Sequence, residues 1–143
     1  MFDRPVRSVI RRRNVLEAPP ETTVRRAAAL MAKRNVGAVM VIEDGRLAGI
    51  FTERDVVVRV VARGLDPAAT RLADVMTRKP RTIGPNTTFG RAILLMHDHG
   101  FRHLPVVENG VPIGIVSARS AMDPELEEFV AEAQRRRHFA AEE

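Results

Sequence analysis

Two stretches of this 143-residue chain decide its fold: Gly49-Ile50-Phe51-Thr52-Glu53-Arg54-Asp55 and Gly114-Ile115-Val116-Ser117-Ala118-Arg119-Ser120. They stand 65 residues apart, and the same offset extends outward from them without a gap. It sets Pro20 on Pro85, Thr22-Thr23 on Thr87-Thr88, Arg26-Ala27 on Arg91-Ala92 and Leu30-Met31 on Leu95-Met96. Further on it sets Val41 on Val106, Glu43 on Glu108 and Gly45 on Gly110. From 20 to 54 there are 13 identities in 35 positions, far above chance. The chain is two copies of one unit, and any fold assigned to one copy must serve the other.

Each copy spells the same elements. Val24, Ala27, Ala28, Leu30 and Met31 recur at helical spacing, as do Phe89, Ala92, Ile93, Leu95 and Met96. Thr22 or Thr23, and Thr87 or Thr88, are suited to cap these helices at the start, and Asn35 and Gly100 to end them in a left-handed conformation. The apolar runs over 38–42 and 104–107 read as buried strands. Asp44-Gly45 and Asn109-Gly110 follow, the dipeptides that favour a type I′ hairpin. The return strands fall over 47–51 and 113–116. Copy one then continues into a valine-rich run that reads as a buried helix ending at Gly64, and 71–76 reads as a short helix opening copy two. A short strand is expected ahead of each main helix, near Val15-Leu16 and over 81–83. Gly49 and Gly114 read as strand positions under close packing, and Met31, Met40, Met76 and Met96 as core. The tail reads as a separate helix over 123–143, with Asp123 as cap, Pro124 in the first turn and Leu126, Phe129, Val130 and Ala133 as an apolar stripe. That stripe packs either on its own domain or on a partner. The expected division is repeat one over 6–66, repeat two over 67–122, and the tail helix.

Composition narrows the function classes. Hydrophobic residues make up 45% and charged residues 29%, the balance of a folded domain and not of a disordered one. No apolar run reaches the length of a membrane span. The amino end lacks the apolar segment of a secretory signal, which favours the cytoplasm. With no cysteine, disulfide frameworks, thiol nucleophiles and cysteine-ligated metals are excluded. His97 and His99, two apart on a helix, point in different directions and make no metal site, and no metal is expected. No Ser-His-Asp or paired-carboxylate arrangement stands out, so the chain does not read as an enzyme. The net charge of +5 is unevenly placed: residues 1–36 carry nine basic and three acidic groups, residues 123–143 three and seven. The basic amino end suits phosphate, nucleic acid or an acidic partner, or is simply a solvated surface.

The two opening stretches resemble the G-h-h-T/S-x-x-D signature of the cystathionine-β-synthase (CBS) domain, with Ser120 where the second copy should carry Asp. Phe101-Arg102-His103-Leu104-Pro105-Val106-Val107 is similar to the segment in which that family places basic residues before L-P-V-V. The resemblance covers about residues 6–122. It implies an α/β fold of the α+β type: two β-α-β-β-α repeats about a pseudo-two-fold axis, a Bateman module, with a C-terminal helix added. It also implies a regulatory module, not a catalyst, whose cleft takes AMP, ADP, ATP or another adenosyl compound as ligand, with no cofactor required. A homodimer acting on a further protein partner is expected. The alternative function is a protein-interaction or nucleic-acid-binding module that uses the basic amino end and senses no ligand.

The residues allow a site to be drawn. Asp55 can accept both ribose hydroxyl protons, and Thr52, three residues earlier, faces the same point if it ends a strand and Asp55 lies in the first helical turn. That turn would also offer free backbone N–H groups to an anion. The plain alternative is that Thr52 and Asp55 only cap the helix. By the resemblance, Arg102 and His103 face the ligand phosphates, while the matching positions in copy one are the uncharged Gly37 and Ala38. The second half-site offers Ser117 and Ser120. Thr77, Arg81 and Phe101 are implied in the adenine slot of the Asp55 site. Arg54 and Arg119 match between copies and either reach phosphate or stay solvated.

Overall fold

The computed structural model describes residues 2–10 and 15–142, and the side chains of 120–127 and 142 lie outside the description. Copy one runs β1 (Glu17–Ala18), α1 (Val24–Arg34), β2 (Ala38–Glu43), β3 (Arg46–Thr52) and α2 (Glu53–Asp55), which continues as a π-helical turn over Val56–Val61. A short α3 (Leu72–Val75) and β4 (Thr77–Arg78) lead to copy two, which is α4 (Phe89–His99), β5 (His103–Glu108), β6 (Val111–Ser117) and α5 (Ala118–Glu142).

The local causes match between the copies. Thr23 and Thr88 cap α1 and α4, each hydroxyl accepting from the backbone N–H three residues on. Asn35 and Gly100 end those helices at φ 53° and 71°. Both hairpins have positive φ at their two central residues, 53° and 76° at Asp44-Gly45 and 52° and 79° at Asn109-Gly110, as a type I′ turn requires. Each hairpin carries a register shift at the same place, Val41/Ile42 and Val106/Val107.

Copy one forms a four-stranded sheet in the order β1-β2-β3-β4, with β1 parallel to β2 and the other pairs antiparallel. Copy two keeps the β5-β6 hairpin, and its leading strand is reduced to a parallel bridge between Ile83 and Val106. That bridge is the exact offset counterpart of Ala18 on Val41. Two cores result. One gathers Leu16, Val24, Val39, Val41, Phe51, Val60 and Leu72, the other Val6, Ile83, Phe89, Leu104, Val106 and Val116. All four methionines expected in the core are buried.

Each core is closed by a segment from outside its own copy. Residues 67–73 bond to the start of α1 through Val24 N–H to Thr70 O, Leu72 N–H to Thr22 O and Ala73 N–H to Pro20 O. Residues 2–7 do the same at α4, through Phe89 N–H to Arg4 O, Val6 N–H to Thr87 O and Arg7 N–H to Pro85 O. Beside these segments the glycines matter. A Cβ at Gly49 would stand 2.6 Å from Met76 Sδ and 2.8 Å from Thr77 O, and one at Gly114 would stand 2.9 Å from Ile10 Cδ1.

Several sequence expectations need correction. The helix after β3 forms, but only Val60 of the valine run is fully buried, while Val57, Val58 and Val61 are exposed. The strand expected over 81–83 is a single bridge with Arg81 exposed, and β4 was not foreseen. The tail helix does not start at Asp123. It leaves β6 directly at Ala118, whose N–H bonds to Arg102 O just as Glu53 N–H bonds to Gly37 O. Copy one's helix stops because Gly64 takes φ 70°. The offset counterpart of Gly64 is Phe129, which gives no such stop, so α5 runs on through Pro124 although proline forfeits one backbone bond there.

Gly49→Ala should therefore destabilise the protein by about 1–3 kcal/mol, because a backbone carbonyl cannot step aside. Gly114→Ala should cost less, since the group it meets is the end of a flexible isoleucine. Calorimetric melting of both variants checks the ordering.

Candidate functional site

The two opening stretches end at equivalent points. Thr52 closes β3 opposite Ala38, and Ser117 closes β6 opposite His103. Each therefore brings a hydroxyl to the start of the neighbouring strand, next to the turn into the following helix.

In copy one, Thr52 and Asp55 form a reciprocal capping box. Asp55 Oδ2 accepts from Thr52 N–H at 2.9 Å and from its hydroxyl at 3.1 Å, and that hydroxyl accepts from Asp55 N–H at 3.3 Å. Oδ1 lies 3.5 Å from Arg59 Nε. Arg59 in turn donates to Val75 O at 3.0 Å, tying the helix to the segment that leads into β4. The carboxylate is 14% exposed, and a carboxylate has about four acceptor directions, so three donors do not exhaust it. Arg59 is a residue the sequence reading missed; its spacing of four from Asp55 was the available signal. The expectation of free N–H groups in the first turn holds only in part, because Glu53 N–H is bound to Gly37 O and Asp55 N–H to Thr52.

Thr77 pairs with Ile50 on the strand that ends at Thr52, so β4 borders the same site. Arg54 and Arg81 are exposed, as are Arg102 and Arg119. Phe101 packs on the second core and stacks on His99, ring centroids 5.5 Å apart. The backbone of Ser120 lies in α5, and its side chain is outside the described set. Ser117 is half-buried.

Gly37 and His103 come together across the two copies. A Cβ on Gly37 would lie 3.2 Å from His103 Nε2 and 3.1 Å from Glu53 Oε1. The bare glycine is thus what lets the imidazole of copy two approach the helix start of copy one. Burial holds the His103 pKa below the ordinary histidine value. The Glu53 carboxylate works against this, and the neighbouring Arg102 adds to it. An open groove elsewhere between the copies, lined by Val15, Leu16, Glu17, Arg34, Pro112 and Ile113, gathers none of the expected site residues. Among the described residues there is no cluster of three or more His, Asp or Glu side chains that could hold a metal. Nor is any helix there long and apolar enough to cross a membrane.

A paired hairpin-and-helix repeat with a hydroxyl at each strand end is the architecture of a CBS pair, and the comparisons agree. The family model for the CBS domain matches residues 6–62 and again 72–124. The chain belongs to the CBS domain family. It is similar to the CBS domain-containing protein YhcV of Bacillus subtilis, 38% identical over 103 residues, covering 72% of this chain and 73% of that one. In structure it is similar to a conserved protein of Pyrococcus horikoshii, with a TM-score of 0.81, 28% identity, and 87% of this chain and 94% of that one covered. It is also similar to a CBS domain protein of Pyrobaculum aerophilum solved in complex with AMP, with a TM-score of 0.74 and 26% identity over 82% and 89% of the two chains. The chain spans 20% of a Schizosaccharomyces pombe relative and 58% of an Arabidopsis thaliana one, so it matches part of longer proteins as well as short ones.

The lowered pKa of His103 fixes a sign. Below the ordinary value near 6.5 the unfolded chain takes up a proton that the folded chain resists, so stability is full above that pH and falls as the pH drops towards the folded pKa. The melting temperature should decline as the pH falls through and below about 6.5. His103→Gln should make that decline shallower. An identical pH profile for the variant and the parent would count against the assignment.

Proposed function

We propose that this CBS pair is a regulatory sensor that binds an adenosyl ligand, such as AMP, ADP or ATP, and acts on a partner protein. The observation that carries this reading is the Thr52–Asp55 pair, held rigid at the end of β3 with acceptor capacity to spare and bordered by Thr77. The AMP complex of the Pyrobaculum aerophilum relative supports the ligand class. In this reading Asp55 takes the ribose hydroxyls, Thr52 orients it, and Arg59 holds the carboxylate in position. Arg102 and His103, beside Gly37 and Ala38, receive phosphate charge, with Arg54 and Arg119 at the periphery. Thr77, Arg81 and Phe101 are assigned to the base. Ser117 and Ser120 form the weaker, second half-site. The protein acts by favouring one arrangement of the two copies over another, and carries out no reaction. A cytoplasmic homodimer through the exposed face of Val57, Val58 and Val61 completes the proposal. The proposed division is repeats over 6–66 and 67–122, with the part of α5 from 123 onward as the tail.

The alternative, a basic surface for nucleic acid or a protein, draws on the amino end. There Arg7 is paired with Glu108 at 3.2 Å, and Arg11, Arg12 and Arg13 lie outside the described residues. Binding that falls steeply with salt and ignores nucleotide identity would favour it.

The protein has no Trp or Tyr, so absorbance near 260 nm well above the weak band of its six Phe reports a bound nucleotide in pure material, and extraction followed by mass spectrometry identifies it. AMP, ADP or ATP should raise the melting temperature. Absence of any adenosyl compound in the extract, together with no shift from these nucleotides, would defeat the sensor reading.

Calorimetry should find one tight site per chain. A serine in place of the acid costs the second pocket roughly 1.5–3 kcal/mol, or about 10- to 150-fold in affinity. Asp55→Ala should abolish binding at micromolar ligand but also remove the cap, at about 0.5–2 kcal/mol of stability. Asp55→Asn keeps a capping oxygen and loses the charge, so it should weaken binding with little loss of stability. Two equal tight sites, or unchanged affinity in both variants, would remove the ribose assignment.

A further inference from the structure

The carboxyl-terminal helix carries more than its own copy uses. α5 is 25 residues long, about 37 Å, and it touches α4 and β6. Over 128–141 every residue is exposed except the half-buried Ala133. Phe129 is 70% and Val130 42% exposed. Phe129, Val130 and Ala133 share one face by helical spacing, while Phe139 lies on the opposite side. Beyond the sensor reading, this is an apolar seam that nothing among the described residues covers.

The charges on the same helix say what fits it. The acidic residues Asp123, Glu125, Glu127 and Glu128 precede the seam, and Arg135, Arg136 and Arg137 follow it. Glu132 pairs with Arg135 and Arg136, each at 3.1 Å, on the far side of the helix. Arg137 makes no ion pair among the described residues. It sits seven residues after Val130, two turns on along the same face, and Asp123 sits seven residues before it. A helix that is acidic before its apolar centre and basic after it is complementary to itself reversed.

We propose that α5 pairs antiparallel with α5 of a second copy, about a two-fold axis at Phe129 and Val130. Position 126 of one copy then stands level with Ala133 of the other, and the acidic end near position 123 comes level with the arginine-rich end, where Arg137 lies on the seam side. A parallel pair would set acid against acid and arginine against arginine. The two-fold contact uses the same patch on both copies.

Because the chain has no cysteine, single cysteines report the register without background. Leu126→Cys and Ala133→Cys are made in the full chain, oxidised separately and as a mixture, and read by intact mass. The mixture should give the mixed disulfide, and each variant alone should give at least several-fold less dimer, since identical positions would lie about seven residues apart along the axis, beyond disulfide reach. Introducing Phe129→Glu and Val130→Glu into both cysteine variants should remove the mixed product, and 0.5 M salt should reduce it. Self-linking of each variant alone, no product from the mixture, or a mixed product that survives the glutamates would overturn the pairing. The AMP-induced melting shift, measured on the same variants, should remain at its parental value. Its absence from the parent, with no shift from ADP or ATP and no adenosyl compound in the extract, would defeat the sensor reading and leave the helix result standing.

Discussion

The structure depends on two borrowed segments of backbone. Helices α1 and α4 each start against a run of chain that precedes the other copy: 67–73 for the first, 2–7 for the second. A helix start has orphan N–H groups, and the turn-rich segments that reach it have unpaired carbonyls of their own, so the pairing satisfies both at once. It also brings Leu72 into one core and Val6 into the other, each with no exposed surface. A unit of some 60 residues has little interior, and one further large side chain per core matters at that size. The close approach of Met76 and Thr77 to Gly49, and of Ile10 to Gly114, is the continuation of the same arrangement. Neither copy is closed without chain from beyond its own hairpin and helix.

Within that symmetric frame, a few substitutions make the halves unlike. Asp55 with its cap is matched by Ser120, and Gly37 and Ala38 are matched by Arg102 and His103. The stop at Gly64 is matched by Phe129, which turns a short helix into a long one. The backbone hardly registers the first two changes: Glu53 N–H bonds to Gly37 O at 3.0 Å and Ala118 N–H to Arg102 O at 2.9 Å. Chemistry differs where geometry is conserved. Duplicated modules can thus diverge in ligand preference without disturbing the fold.

The repeat, the helix caps, both hairpin turns and the buried methionines were legible because each follows from local spacing or from a residue type with one good conformation. Asn35 and Gly100 could be placed from sequence for that reason. β4 was not legible: Thr77-Arg78 has no pattern of its own and is a strand only because β3 lies beside it. The start of α5 was misplaced because Asp123-Pro124 is a strong local signal for a helix beginning, and the tertiary bond from Ala118 to Arg102 overrode it. At the site, Thr52 and Asp55 were picked out by their motif, and the structure shows them as the capping pair that was the alternative to a ligand role. The meeting of Gly37, Glu53 and His103 was invisible, since it joins residues from both copies that no spacing rule connects.

That meeting point gives the module a physical means of coupling its halves. His103 belongs to copy two and Glu53 to the helix turn that also carries Asp55. Any ligand that draws on Asp55 loads the turn between Thr52 and Arg59, and Glu53 lies within that turn. Phosphate charge near Arg102 and His103 would favour the protonated imidazole, which burial otherwise disfavours, and a protonated imidazole attracts Glu53 more strongly. On the proposed reading, ribose at one half and phosphate at the other would act on the electrostatic interaction of Glu53 with His103 from opposite sides. Binding energy differs between arrangements of the copies only through contacts of this kind, and a glycine at position 37 is what leaves room for it.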